Sequence, residues 1–147
     1  REECGVDPQG TPGTGAAGGL GGALLALGGT LVPGFGHVAR HLGLEGAVAR
    51  ADLVVTGEGR LDATSFAGKV VGGVAALATR HGVPVVAIVG MADDGLDADL
   101  EVVSLTAELG SDRALGDTLA CVREVATRVL TSFPEAGSRP IPRSASG

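Results

Sequence analysis

The sequence predicts an α/β protein built on a parallel sheet covered by helices. Two short branched-aliphatic runs, Asp52-Leu-Val-Val-Thr56 and Val83-Pro-Val-Val-Ala-Ile-Val89, are apolar on both faces, as the strands of a doubly covered parallel sheet are. The segment between them carries Val70, Val74, Leu77 and Ala78 at helical spacing and is long enough to serve as a crossover. Each run is closed by a glycine, Gly57 and Gly90, where a strand gives way to a loop.

Taken in order, residues 1–12 are polar, contain Pro8, Gly10 and Pro12, and lack a period, which predicts a loop or a truncated element. Residues 15–27 place Leu20, Leu24, Leu25 and Leu27 on one helical face, with Gly28-Gly29 as the stop. Each interior glycine weakens such a helix by roughly 1 kcal/mol relative to alanine, a cost that close backbone approach would offset. Val38, Leu42 and Leu44 predict a short second helix after Pro33-Gly34, ending near Gly46. The crossover helix runs over residues 66–80 and stops at His81-Gly82. Residues 100–105 predict a third strand. Residues 112–133 predict one long final helix, with Leu115, Leu119, Val122, Ala126, Val129 and Leu130 on its apolar side and Pro134 after it. The Gly/Ser/Pro/Arg tail that follows predicts disorder.

Composition bounds the function. The 147 residues amount to about one domain, and 44% hydrophobic with 19% charged residues is ordinary for a globular chain. The 26 glycines and 7 prolines stay below the roughly 25–30% share that marks low complexity. A net charge of −6 and eleven scattered basic residues supply no stripe for counterion release. With no Trp or Tyr and only Phe35, Phe66 and Phe133, base-stacking platforms are missing too, so no nucleic-acid partner is expected. No apolar run reaches the ~18 residues of a membrane span, and no charged-then-apolar leader is present. Cys4 and Cys121 lie far apart without a CxxC, which fits a reducing compartment. The expectation is a soluble, cytoplasmic protein. Because residue 1 is Arg1 and the only methionine is Met91, the chain is expected to begin at a processing site or partway through a longer product.

Three patches could carry chemistry. Gly13-Thr-Gly-Ala-Ala-Gly18 matches the dinucleotide GxGxxG, whose glycines bring backbone N–H groups to a pyrophosphate. That fingerprint must follow a strand, and residues 4–12 do not read as one, so tight helix packing and an anion loop of another kind stay open beside it. Thr56-Gly-Glu-Gly-Arg-Leu-Asp62 follows a strand directly, at the end where open α/β sheets bind ligands. There Glu58 and Asp62 could hold a divalent ion or accept a proton, and Arg60 could grip phosphate or carboxylate as a planar fork. The plain alternative is a solvated surface loop. Against it, Lys69, the only lysine of the chain, follows Gly68 at the start of the next helix. This is no Walker A, since Val70 stands in the Ser/Thr place and Ala63 in the leading Gly place.

The third patch, His37 and His41, has a one-turn spacing but lacks the HExxH glutamate and a third ligand, so both read as exposed helix residues. His81 reads as a helix C-terminal contact and Cys121 as packing, while Cys4 has no activating neighbour. Asp93-Asp94-Gly95 with Asp97 and Asp99 reads as a turn of capping acids, because the closing glutamate of a calcium loop is out of register.

In succession, Gly13-Thr-Gly-Ala-Ala-Gly-Gly-Leu-Gly-Gly22, Ala51-Asp-Leu-Val-Val-Thr-Gly-Glu-Gly-Arg-Leu-Asp62, Gly68-Lys69 and Gly82-Val-Pro-Val-Val-Ala-Ile-Val-Gly90 resemble the C-terminal part of the bacterial type I glycerate kinases. The resemblance spans residues 12–130. Thr14 stands where alanine is usual, and Ala63-Thr-Ser-Phe66 replaces a more usual Gln-Thr step. It implies transfer of the ATP γ-phosphoryl group to D-glycerate with Mg²⁺, giving phosphoglycerate, in a cleft between two α/β domains. Residues 13–50 would then end an inserted Gly-rich domain, residues 51–134 would form the C-terminal α/β part of the main domain, and residues 135–147 a tail. Phosphoryl transfer asks mainly for positioning and charge stabilisation. On that basis Arg60 and Lys69 would contact phosphate or the glycerate carboxylate, and Asp62 would position or deprotonate the acceptor hydroxyl. Glu58 would bind magnesium, and Gly13, Gly15, Gly18, Gly19, Gly57 and Gly59 would face phosphate. A complete member of the family is more than twice as long, so the implied chain is partial, lacks the N-terminal part of its own polypeptide and is inactive alone. A nucleotide- or dinucleotide-binding module and a non-catalytic remnant are the alternatives.

Overall fold

A computed structural model of the chain describes Asp7, residues 10–96, Ala98 and residues 100–133. The elements in chain order are α1 (Ala16–Ala26), α2 (Gly34–His41), α3 (Leu44–Ala49), β1 (Val54–Thr56), β2 (Arg60–Leu61), a 3₁₀ turn (Ala63–Phe66) and α4 (Val70–Arg80). They continue with β3 (Val85–Val89), β4 (Met91–Ala92), β5 (Glu101–Ser104), α5 (Leu105–Leu109), α6 (Ser111–Gly116) and α7 (Thr118–Ser132). The expected disordered tail and the segment around Cys4 lie outside the described residues.

The α/β expectation holds. Strands β1, β3 and β5 form a parallel sheet with β3 in the middle; Val54 stands opposite Val85, and Val86 opposite Glu101. All five residues of β3 are buried, because helices cover both of its faces. Val86 and Ile88 pack with Val103 against Leu105, Ala114, Cys121, Val125 and Val129 of the C-terminal helices. Val85 on the other face joins Val48 of α3 and Val74, Leu77 and Ala78 of α4. Beyond Gly57 and Gly90 the same chain paths pair again as the short parallel ladder β2–β4, which residue pattern alone does not reveal.

Several elements differ from expectation for identifiable reasons. Strand β1 is not apolar-covered on both faces: it is an edge strand, and Val55 is exposed. Helix α1 opens with Ala17, Gly18 and Gly19 at positive φ, so its right-handed part starts only at Leu20, and Leu20, Leu24 and Leu27 are exposed rather than forming a buried face. What α1 buries is Gly21 and Gly22, over which residues 13–14 fold back; a Cβ on Gly21 would lie 2.3 Å from the Gly13 carbonyl oxygen. The second helix is divided at Gly43, which sits at φ +61. In α4 the buried residue of the first turn is Val71, while Val70 is exposed. The final helix is interrupted at Asp117, whose carboxylate accepts the Ala120 N–H and starts α7 afresh. Its expected apolar side is only partly the buried one: Val129 and Cys121 are buried and Ala126 packs against the core, with Val125 added, whereas Leu115, Leu119, Val122 and Leu130 are exposed. Cys121 packs in the core as expected.

Candidate functional site

The segment from Thr56 to Lys69 is laid across the carboxyl end of the sheet. Leaving β1, Gly57 passes so close to β3 that a Cβ there would stand 2.2 Å from the Ile88 carbonyl oxygen. Gly90 likewise faces Gly59, where a Cβ would stand 2.4 Å from the Gly59 oxygen. The absent side chains let the two backbones bond directly: Gly90 N–H donates to the Glu58 carbonyl at 3.1 Å, Met91 N–H to Gly59 at 3.0 Å and Asp93 N–H to Leu61 at 3.0 Å. Leu61 is fully buried with Val71, Ala87 and Val89, so β2 is anchored by one side chain while its neighbours Arg60 and Asp62 lie on the surface side.

The four expected polar groups differ in how they are held. The Glu58 Oε1 atom is buried and has no hydrogen-bond partner among the described residues. Arg60 spans the β2–β4 ladder to Asp93, with Nε at 3.0 Å and Nη2 at 2.8 Å from Oδ1. Asp62 caps the 3₁₀ turn: its Oδ1 accepts the Thr64 N–H at 2.8 Å, and its own N–H donates to the buried Ser65 Oγ at 3.1 Å. Thr64 Oγ1 also donates to Asp62 Oδ1 at 2.6 Å, and Lys69 Nζ donates to Thr64 Oγ1 at 2.5 Å. Chiefly the Thr64 hydroxyl holds the Asp62 carboxyl below its ordinary range; burial opposes this, while the Thr64 amide, the Lys69 charge and the Ser65 amide reinforce it.

Asp93, 33 residues after Arg60, has in the sequence pattern only the place of a capping acid in a turn. The parallel β2–β4 register is what makes it the partner of Arg60, and no local pattern announces that ladder. Asp93 and Asp94 also line a cleft of about 630 Å³ together with Ser104 and Thr106 at the carboxyl end of β5. The position of Ser104 after a branched-aliphatic run was the signal available for it.

The glycines of residues 13–19 are placed differently. Ala16 N–H donates to the Gly13 carbonyl, Gly19 N–H to Gly15 and Gly22 N–H to Thr14, so these amides are engaged within the loop. No residue of α1 belongs to the hydrophobic clusters of the sheet, and residues 10–14 form turns instead of the strand that a dinucleotide fingerprint requires. The rings of His37 and His41 meet at a tilt of 42° with their centroids 4.5 Å apart. His81 ends α4 and meets Glu45 at 3.2 Å. No group of three or more His, Cys, Asp or Glu suited to a metal occurs among the described residues.

A parallel sheet covered by helices, with a glycine-hinged loop of charged side chains at its carboxyl end, defines an α/β protein of the class whose open sheets bind ligands at that end. The glycerate kinase family model matches residues 1–133. The glycerate kinase of Halalkalibacterium halodurans is 45% identical over 101 residues, covering 68% of this chain and 27% of the relative. The glycerate 2-kinase of Escherichia coli is 44% identical over 108 residues, covering 67% of this chain and 28% of the relative. Among solved structures, a putative glycerate kinase 2 from Salmonella typhimurium LT2 is 42% identical with a TM-score of 0.58, covering 81% of this chain and 32% of that one. The chain belongs to the glycerate kinase family. It spans between a quarter and a third of the length of these relatives.

Proposed function

We propose that these residues form the C-terminal part of an ATP-dependent kinase that phosphorylates D-glycerate in the cytoplasm. The observation that supports it most is the fastening of the Thr56–Lys69 segment to β3 and β4, which gathers Glu58, Arg60, Asp62 and Lys69 at one end of the sheet. In the reaction the acceptor hydroxyl oxygen forms a bond to the γ-phosphorus, the bond from that phosphorus to the β–γ bridging oxygen breaks, ADP leaves, and the hydroxyl proton passes to water as the phosphate ester forms. Arg60 and Lys69 supply positive charge to the phosphate or the glycerate carboxylate. Asp62, kept ionised by Thr64, orients the acceptor hydroxyl as a hydrogen-bond acceptor; a carboxyl with a depressed pKa is better matched to this than to taking the proton at neutral pH. Gly57 and Gly59 bring bare backbone to the same place, and the loop of Gly13, Gly15, Gly18 and Gly19 contributes to phosphate binding once the Gly19 N–H, which donates to the Gly15 carbonyl, is set aside.

Magnesium fits the donor set at Glu58, whose buried Oε1 has no hydrogen-bond partner among the described residues. A single protein carboxylate is in keeping with an ion that is held by one or two carboxylates together with water and substrate phosphates. When bound, it supplies charge neutralisation on the phosphates. The division into the end of an inserted domain over residues 13–50 and a main-domain part over residues 51–134 belongs to the same proposal, as does dependence on an N-terminal part of the polypeptide. The short span relative to the family and the exposed Leu20, Leu24 and Leu27 support that dependence.

The test is made in a family-length polypeptide carrying these residues. Arg60→Ala and Asp62→Ala are expected to lower turnover of glycerate and ATP roughly 10²-fold or more while the far-ultraviolet spectrum is retained. Unchanged turnover in both variants moves the site elsewhere. Residues 1–147 alone are expected to phosphorylate no glycerate; an ordinary enzyme rate from them removes the dependence on further chain.

A further inference from the structure

Thr64 lies in the stretch where the sequence departs from the usual family step, yet its hydroxyl stands between two groups of the proposed site. A hydroxyl has one proton to give and two lone pairs to offer, so it can serve both neighbours at once with its polarity fixed. Here the ammonium of Lys69 donates to Thr64 Oγ1 at 2.5 Å, and Thr64 Oγ1 donates to Asp62 Oδ1 at 2.6 Å. Each bond has an ionised partner, and such bonds are shorter and stronger than neutral ones.

The backbone sets the spacing of the three residues. Asp62 and Ser65 close the 3₁₀ turn reciprocally through side chain and main chain, which fixes Thr64 over the Asp62 carboxylate. Gly72, in the first turn of α4, touches the same 3₁₀ turn so closely that a Cβ would stand 2.6 Å from Phe66 Cα and 2.8 Å from the Ser65 carbonyl oxygen. Lys69 is the N-cap of α4, so this contact fixes its Cα relative to Thr64. A lysine side chain is long and rotamer-rich, and a free one would sample many positions. The hydroxyl removes that freedom at its far end and leaves two of the three ammonium donors for an incoming anion.

We propose that Thr64 is a positioning residue: its hydroxyl joins Lys69 Nζ to Asp62 Oδ1 and presents the ammonium and the carboxylate to the phosphate-bearing substrate as one unit. This rests on the functional reading above. Lys69 is the charged group acting on Asp62, while Arg60 is turned to Asp93.

Because Lys69 is the only lysine, lysine-labelled protein gives a single side-chain signal by NMR, and the Asp62 carboxyl can be titrated beside it. In the unmutated chain and in Thr64→Ser the Lys69 signal is expected to move as Asp62 titrates. In Thr64→Val that response is lost and the Asp62 midpoint moves up towards the ordinary carboxylate value. Lys69→Met is a second probe, expected to raise the midpoint by less, because the Thr64 bond remains. In a family-length polypeptide Thr64→Val should lower kcat roughly 10²-fold with the KM for ATP little changed, and Thr64→Ser should restore most of it. A Lys69 signal that still follows Asp62 in Thr64→Val overturns the proposal, as does loss of the response with kcat unchanged. If the unmutated longer polypeptide phosphorylates no glycerate, the functional reading fails, and the titration still decides whether the bridge exists.

Discussion

The two glycine-rich stretches, residues 13–22 and residues 57–59, look alike in composition and behave differently in the fold. Gly57 is needed for space: its backbone lies against the carbonyl of Ile88 on the central strand, and Gly90 lies in the same way against Gly59. In the first stretch Gly21 needs space only against the stretch's own backbone at Gly13, Gly18 and Gly19 are needed for conformation, at φ +68 and +98 with open space around them, and Gly15 is needed for neither, at φ −76 with nothing nearby. Glycine count is therefore a poor guide to a ligand loop. What separates the two stretches is contact with the sheet, which turns a flexible segment into one with a defined position relative to β3 and β4.

The comparison breaks most visibly at Gly57. A methyl group there would have to displace either the end of β1 or the Ile88 carbonyl of β3, the central strand that pairs with both β1 and β5. Gly57→Ala should cost about 3 kcal/mol, read as a fall in the urea midpoint. A midpoint unchanged within error would mean that the close approach is absent in solution.

A second contrast, between the two sides of α7, shows how much of the fold the sequence could reveal. Its helical period was legible, and so were the long strands, because branched-aliphatic runs closed by glycine have few other uses. The phase of α7 was legible only in part. The expected face includes Val129 and Ala126, which do turn to the core with Cys121 and Val125, but its larger side chains, Leu119, Val122 and Leu130, are exposed. Val125→Ala, at a residue with no exposed surface, should cost roughly 2 kcal/mol, whereas Leu119→Ala, at 69% exposure, should stay within about 0.5 kcal/mol. Equal costs in chemical denaturation would reverse the assignment of faces. In the candidate site, residue types were readable but partners were not. Asp93 meets Arg60 through a two-residue ladder with no period, and Thr64 joins Asp62 to Lys69, five positions on, across a 3₁₀ turn. Ala17 at φ 52 is a further case, since alanine gives no sign of a left-handed start.

Within the first stretch the effects are smaller and of opposite sign. Gly18→Ala places a Cβ on a left-handed residue and should cost about 1 kcal/mol. Gly15→Ala, whose φ alanine adopts freely and which meets nothing within 4 Å, should stabilise by about 0.4–1 kcal/mol through the unfolded chain. Thermal midpoints that move the same way for both would mean that conformation does not govern this stretch.

The smallest expected effect belongs to the fastened stretch and is one of pH. Asp62 has a folded pKa depressed below its unfolded value, first by the Thr64 hydroxyl, so its ionised form is favoured by folding. The stability it contributes is fully present above the unfolded carboxylate pKa and is lost as pH falls through the lower folded one. Asn in its place still offers an oxygen to the Thr64 N–H but no charge to Lys69, so the cap survives and the titration does not. The stability gap between the unmutated chain and Asp62→Asn should therefore be modest at neutral pH, because the group is at the surface and screened, and should close as the solution is acidified through that window. A gap that stays constant across it would show that Asp62 acts in folding only as a neutral cap, and would detach the charge of Lys69 from the stability of the turn.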